Sequence, residues 1–166
     1  MKPGYLALVL HAHLPFVREP EHEESLEQNW IFEAITETYI PLLLVLENLI
    51  RDRVNFRLTF SVTPTLATML ADPLLQSRYL NRLEQLMELA EKEVRRTRSD
   101  EQFGPLARMY VSQFAKVHDA FLHRYKKNLL EAFRRLQVLG YVEILASAAT
   151  HAYLPLLSVN EAALRA

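Results

Sequence analysis

From Val54 to Ser61 apolar and polar residues alternate, with Val54, Phe56, Leu58 and Phe60 interleaved with Asn55, Arg57 and Thr59. A period of two predicts a strand with one buried face. Two other runs have strand character. Tyr5 to Leu10 is continuously apolar and bounded by Gly4 and Pro15. That pattern suits a strand buried on both faces, with a buried helix segment as the alternative. Tyr141 to Ala149 reads as a third strand. Helical stretches separate the three runs, so the strands should pair in parallel in an α/β architecture. Three such strands form either a small open sheet or the opening portion of a barrel.

The helical stretches have clear punctuation. Residues 16–29 are polar, with Glu19, Glu21, Glu23, Glu24 and Glu27, and read as a loop or lid. From Trp30 to about Ile50 the period is helical, and Pro41 inside it should kink or split the helix. Thr63-Pro64 has the form of an N-cap followed by proline at the first helical position, opening a short helix to about Leu70. Residues 74–98 carry Leu80, Leu83, Met87, Ala90 and Val94 at helical spacing and predict a long, largely exposed helix. Pro105 to Leu139 is the strongest helical pattern, with Gly140 placed to end it. Ser158 reads as the N-cap of another helix, which runs into the end of the sequence with no stop signal, so the ending reads as a cut.

Composition narrows the function classes. Of 166 residues, 50% are hydrophobic and 23% charged, the balance of an ordinary globular domain. A net charge of −1 gives no electrostatic pull toward nucleic acid or an anionic membrane. Without cysteine there is no thiolate nucleophile, disulfide framework or sulfur-ligated zinc. Only three glycines are present, and no Gly-rich phosphate loop. The short apolar start, ended by His11 and His13, is too short to span a membrane and lacks a signal-peptide cleavage pattern. A cytoplasmic protein is the expectation.

Polar residues fall where the strands end. His11-Ala12-His13 follows the first run, Ser61-Val62-Thr63 the second and Thr150-His151 the third. Ligands of parallel α/β folds bind at the C-terminal ends of the strands. His11 and His13, two apart in extended chain, point the same way. They read as a metal pair, as hydrogen-bonding partners of sugar hydroxyls, or as ordinary loop histidines. A metal site needs a further ligand, which His151 could supply. Glu143 lies in an otherwise apolar strand, where burial is costly unless the carboxylate is paired. It is an active-site carboxylate, a positioner of a neighbouring histidine, or a solvent-facing edge residue. Trp30 and Phe16 are core residues or stacking platforms, with the core favoured. Glu33 and Glu37, one turn apart, share a helix face. His22, His118 and His123 are expected in solvent.

Three longer strings carry a resemblance. They are Leu8-Val9-Leu10-His11-Ala12-His13-Leu14-Pro15-Phe16, the stretch Asn29 to Leu43, and the stretch Glu143 to Leu157 that contains Thr150-His151-Ala152-Tyr153-Leu154-Pro155. In order and spacing the chain resembles glycoside hydrolase family 57, in its branching-enzyme-like subgroup. The resemblance implies that residues 1–166 are the truncated N-terminal portion of an incomplete (β/α)7 barrel. It implies rearrangement of α-1,4-glucans by a retaining mechanism, which needs two carboxyl groups about 5–5.5 Å apart. By the same resemblance the nucleophile Glu and acid/base Asp lie beyond Ala166, and the chain alone is inactive. His11, His13, Glu143 and His151 are then substrate-binding residues for an α-glucan, with no metal or other cofactor. Self-association, or completion by downstream chain, is implied by a barrel cut open. The alternatives are a metal-dependent hydrolase using His11 and His13, and a non-catalytic glucan-binding domain.

Overall fold

The computed structural model describes residues 4–21 and 25–157. Three parallel strands, β1 (Val9–Ala12), β2 (Leu58–Val62) and β3 (Val142–Leu145), form one sheet in the order β1-β2-β3. Between them run α1 (Leu26–Glu33), α2 (Ile40–Arg51), α3 (Pro64–Ala71), α4 (Pro73–Arg96), α5 (Phe103–Asp119) and α6 (Leu129–Val138), with a short α7 (Leu154–Leu157) after β3. The α/β class with parallel strands and long intervening helices is therefore as the sequence indicates.

The register pairs Leu10 with Phe60 and Phe60 with Ile144, while Val9, Thr59 and Glu143 form the next row. Because side chains alternate along a strand, each row faces one side of the sheet. Phe60, Val142 and Ala12 are buried on the side where the helices pack. Phe60 meets Phe133 of α6 edge-on at 5.7 Å, and Phe133 in turn meets Tyr39. The other side of the sheet carries His11, Thr59, Ser61 and Glu143.

That one-sided cover corrects the first strand. Tyr5 to Leu8 are outside it, and Tyr5 and Leu6 are 97% and 83% exposed. β1 is an edge strand with Val9 largely open, not a strand buried on both faces. An apolar run reports apolar neighbours somewhere along it but does not say which elements supply them. β2 and β3 are also shorter than their sequence patterns, because pairing partners exist only over the register above.

The loop read as 16–29 ends earlier than expected. Ser25 caps α1 by accepting from the Gln28 N–H, so the helix begins at Leu26. Pro41 does not split it. Residues Ala34–Tyr39 form a π-helical turn in which the Ile40 N–H bonds the Ile35 carbonyl, and the helix continues through Pro41 to Arg51. The wider turn accommodates a residue with no N–H to give. Leu26–Arg51 is long and apolar enough to cross a membrane by length and composition, yet Ile31, Ile40, Leu43 and Leu46 are buried in the core.

The helix expected over Pro105 to Leu139 is two helices. α5 passes through a π turn at Ala120–Arg124, then Lys126 and Lys127 adopt positive φ, and Asn128 caps α6 by accepting from the Glu131 N–H. The capping side chain offers the backbone an alternative to continuing the helix. α6 stops as expected: Gly140 takes φ +77°, its N–H bonds the Gln137 carbonyl, and the Tyr141 N–H bonds the Leu136 carbonyl. Such paired bonds close a helix around a left-handed residue. The helix expected from Ser158 lies outside the described residues.

Two caps fix the helices that follow β2. Thr63 accepts from the Leu66 N–H with Pro64 next in line, and Asp72 accepts from the Leu75 N–H ahead of Pro73. Asp72 also meets Arg18 at 2.6 Å, which ties the loop after β1 to the start of α4. Arg78 reinforces this by donating to the carbonyls of Glu19 and Pro20 and to Gln28. Burial pushes the Asp72 carboxyl up, but the Leu75 N–H and Arg18 outweigh it and hold its pKa below the ordinary 3.8. The Asp72→Ala variant should lose about 1–2 kcal/mol in urea unfolding at neutral pH. A carboxyl depressed in the folded state stabilises above its unfolded pKa and ceases to as pH falls through its folded pKa. The gap between the variant and the parent should therefore hold steady above about pH 5 and close in stronger acid. An unchanged gap in strong acid would count against this role.

Candidate active-site rim

Three imidazoles meet above the C-terminal ends of the strands. β1 delivers His11 from within the strand and His13 just beyond it, and His151 arrives from the turn after β3 with φ +59°. The ring centres of His13 and His151 are 4.1 Å apart, those of His11 and His151 4.7 Å, and those of His11 and His13 5.9 Å. The spacing of two in His11-Ala12-His13 places both rings on the open side while Ala12 is buried.

The central strand supplies the partners. His11 Nδ1 is hydrogen-bonded to Ser61 Oγ, its neighbour in register. His13 Nδ1 lies 3.0 Å from Thr63 Oγ1. Thr59 and Ser61 thus present hydroxyls on the open side, and Thr63, just past the strand, reaches His13 from a buried position. Ser61 and Thr63 are noticeable in the sequence as strand-end polar residues. Their service to the histidines follows from the register, which alternation alone does not give.

Partial burial, then the neighbouring His151 and His11, hold the His13 pKa below its ordinary 6.5. His13 is therefore uncharged at neutral pH. Among the described residues no group of three or more His, Cys, Asp or Glu side chains is arranged to hold a metal ion.

Glu143 shares the open side but not the cluster. It sits level with Thr59, whose Oγ1 donates to its carboxylate at 3.5 Å, and it is exposed. Two residues along a strand put it about 6–7 Å below the row of His11. Among the described residues it pairs with this hydroxyl and not with a histidine. The preference for Trp30 and Phe16 as core residues is corrected: they are 44% and 56% exposed. Neighbours in the same segments turn inward instead: Val17, Gln28 and Ile31 are buried. Glu33 and Glu37 are in solvent, as is His123, and His118 is partly buried beside Glu84. His22 lies outside the described residues. The larger grooves run along the helices, one of 430 Å³ beside Glu47 and Tyr125 and one of 420 Å³ between α4 and α5, and neither touches the rim. The histidines line an open face.

The chain is 38% identical to a 1,4-alpha-glucan branching enzyme of Thermococcus kodakarensis over 96% of its own length and 23% of that enzyme's. It superposes on the GH57-type branching enzyme of Pyrococcus horikoshii with a TM-score of 0.87 at 39% identity, over 96% of this chain and 30% of that one. It also superposes on the alpha-amylase AmyC of Thermotoga maritima with a TM-score of 0.86 at 44% identity, over 92% and 29%. The chain thus spans 23–30% of the length of these relatives, and matches their barrel in its N-terminal part. Residues 7–165 match the sequence profile of Glycosyl hydrolase family 57, and the chain belongs to that family.

Proposed function

We propose that this chain supplies part of the sugar-contacting rim of an enzyme that rearranges α-1,4-glucans, in the manner of a 1,4-α-glucan branching enzyme. The observation that carries the reading is the gathering of His11, His13 and His151 on the open side of a parallel sheet, backed by Ser61 and Thr63. Imidazoles and hydroxyls both donate and accept, which matches the mixed donor and acceptor edge of a glucose unit. His11 and Ser61 sit on strands, and groups so fixed are held in place before the ligand arrives, leaving less ordering to be done on binding.

Retaining transfer needs a nucleophile and an acid/base carboxyl about 5–5.5 Å apart. In this reading both come from polypeptide outside residues 1–166. Glu143 is a substrate-binding residue here, reaching ligand from the row below the histidines. The role of the rim is to hold the glucan so that the two carboxyls meet the scissile bond. The likeness to AmyC favours a second reading, in which water and not a glucan hydroxyl takes the transferred sugar. The rim chemistry is common to both.

The edges of the sheet belong to the same proposal. Val9 on β1 and Leu145 on β3 are exposed, where unpaired strand edges invite further strands. Further polypeptide of the full enzyme would cover them. The 166-residue chain should therefore self-associate as its concentration rises in sedimentation experiments. A chain that stays monomeric throughout would count against open edges of this kind.

Affinity electrophoresis through amylose tests the rim. The chain should be retarded, and a His11→Ala, His13→Ala double variant should bind about tenfold more weakly or worse, the loss expected from two hydrogen-bonding groups. No branches should form in the amylose. Retardation unchanged in the double variant would overturn the rim assignment. Branching by the chain alone would overturn the placement of the carboxyls. Stoichiometric zinc that disappears in the double variant would favour the metal-dependent hydrolase.

A further inference from the structure

We infer that a relay of two threonine hydroxyls fixes the tautomer of His13 with the proton on Nδ1 and a bare Nε2, making Thr63 and Thr65 positioning residues for an imidazole that accepts from ligand hydroxyls. The tautomer follows from the protein alone. The ligand half rests on the functional reading above.

The proton count runs from the backbone outward. Thr65 Oγ1 donates to the Leu14 carbonyl at 3.3 Å. A carbonyl only accepts, so the single hydroxyl proton of Thr65 is committed there. Thr63 and Thr65 have their hydroxyl oxygens 3.1 Å apart. With no proton left on Thr65 for this bond, Thr63 is the donor. Thr63 has no second proton, so toward every other partner its oxygen accepts. One such partner is the Leu66 N–H at 3.4 Å. The other is His13 Nδ1 at 3.0 Å, which must therefore carry the hydrogen. Thr63 is fully buried, so no water is at hand to take over one of these bonds.

Neutral imidazole has one N–H, so Nε2 of His13 is left with a lone pair. Among the described residues no buried side-chain nitrogen or oxygen lacks a partner, and Nε2 has none, so it is not buried and opens to the rim. A bare Nε2 pairs with a hydroxyl and rejects an ether oxygen, which has no proton to give. Of the oxygens on a glucan, His13 can therefore engage hydroxyls but neither the ring oxygen nor the glycosidic oxygen. His11 differs. The Ser61 proton has no other recorded acceptor among the described residues, so that pair works in either direction and the His11 tautomer is free to follow the ligand.

Long-range proton–nitrogen correlation spectra of the histidine-labelled chain at about pH 8, above the ordinary imidazole range, read the tautomer directly. His13 is assigned through a His13→Gln variant. The expected pattern is a protonated Nδ1 and an unprotonated Nε2, the reverse of the preference of free histidine. In Thr65→Val the relay loses its acceptor, the Thr63 proton is released, and the His13 signals should move toward a tautomer mixture. Thr65→Ser should restore the parent pattern. The His11 signals, which do not depend on Thr65, should stay in place throughout. A protonated Nε2 in the parent chain, or a pattern unmoved in Thr65→Val, would overturn the inference. Addition of maltoheptaose separates the two halves: a shift at His13 Nε2 supports both. The expected tautomer with Nε2 unmoved by maltoheptaose upholds the relay and refutes the glucan reading.

Discussion

The structure depends on a sheet that is covered on one side. β2 is its central strand, and its alternation divides the molecule. Phe60 is driven under the helices by the same period of two that turns Thr59 and Ser61 the other way. A shift of one residue in register would put hydroxyls in the core and phenylalanine on the rim. Burial of Phe60 against Phe133 therefore does more than stabilise the fold. It aims the Ser61 hydroxyl that holds His11.

From that constraint the helices acquire their roles. Across the π turn before Pro41 the helix keeps Ile40, Leu43 and Leu46 on the core. Tyr79 of α4 stacks edge-on with Phe121 and reaches Thr36 with its hydroxyl at 3.0 Å, joining three helices at one buried point. Burial raises the pKa of Tyr79, so it is a neutral hydrogen-bonding residue there. Thr63 stands between packing and chemistry. It caps α3 and bonds His13, so the element that starts a helix also orients the rim.

Much of this was legible in the sequence, for physical reasons that differ by element. The Thr63-Pro64 cap and the Gly140 stop are local chemistry, and local chemistry is written in adjacent residues. The α/β class follows from period. The extent of the strands does not, because a strand ends where its partner ends, and partners are distant in sequence. The turn at residues 125–128 was hidden by an unbroken apolar spacing, although Asn128 and Glu131 are the signature of a helix start. The convergence of His151 on His11 and His13 was foreshadowed by the polar residues at three strand ends. The separation of Glu143 from them was not, since its level in the sheet depends on the pairing with Thr59. Trp30 and Phe16 illustrate the reverse error. Large aromatic side chains favour burial, but here Val17 and Ile31 take the buried positions beside them.

The central claim is that the open side of the sheet is the side that meets glucan. A crystal structure of the chain soaked with maltotriose tests it most directly. The account predicts sugar density against His11, His13 and His151, with hydroxyls within hydrogen-bond reach of the imidazoles. Sugar seated instead along the helices, in the groove between α4 and α5 for example, with the three rings unoccupied, would contradict it.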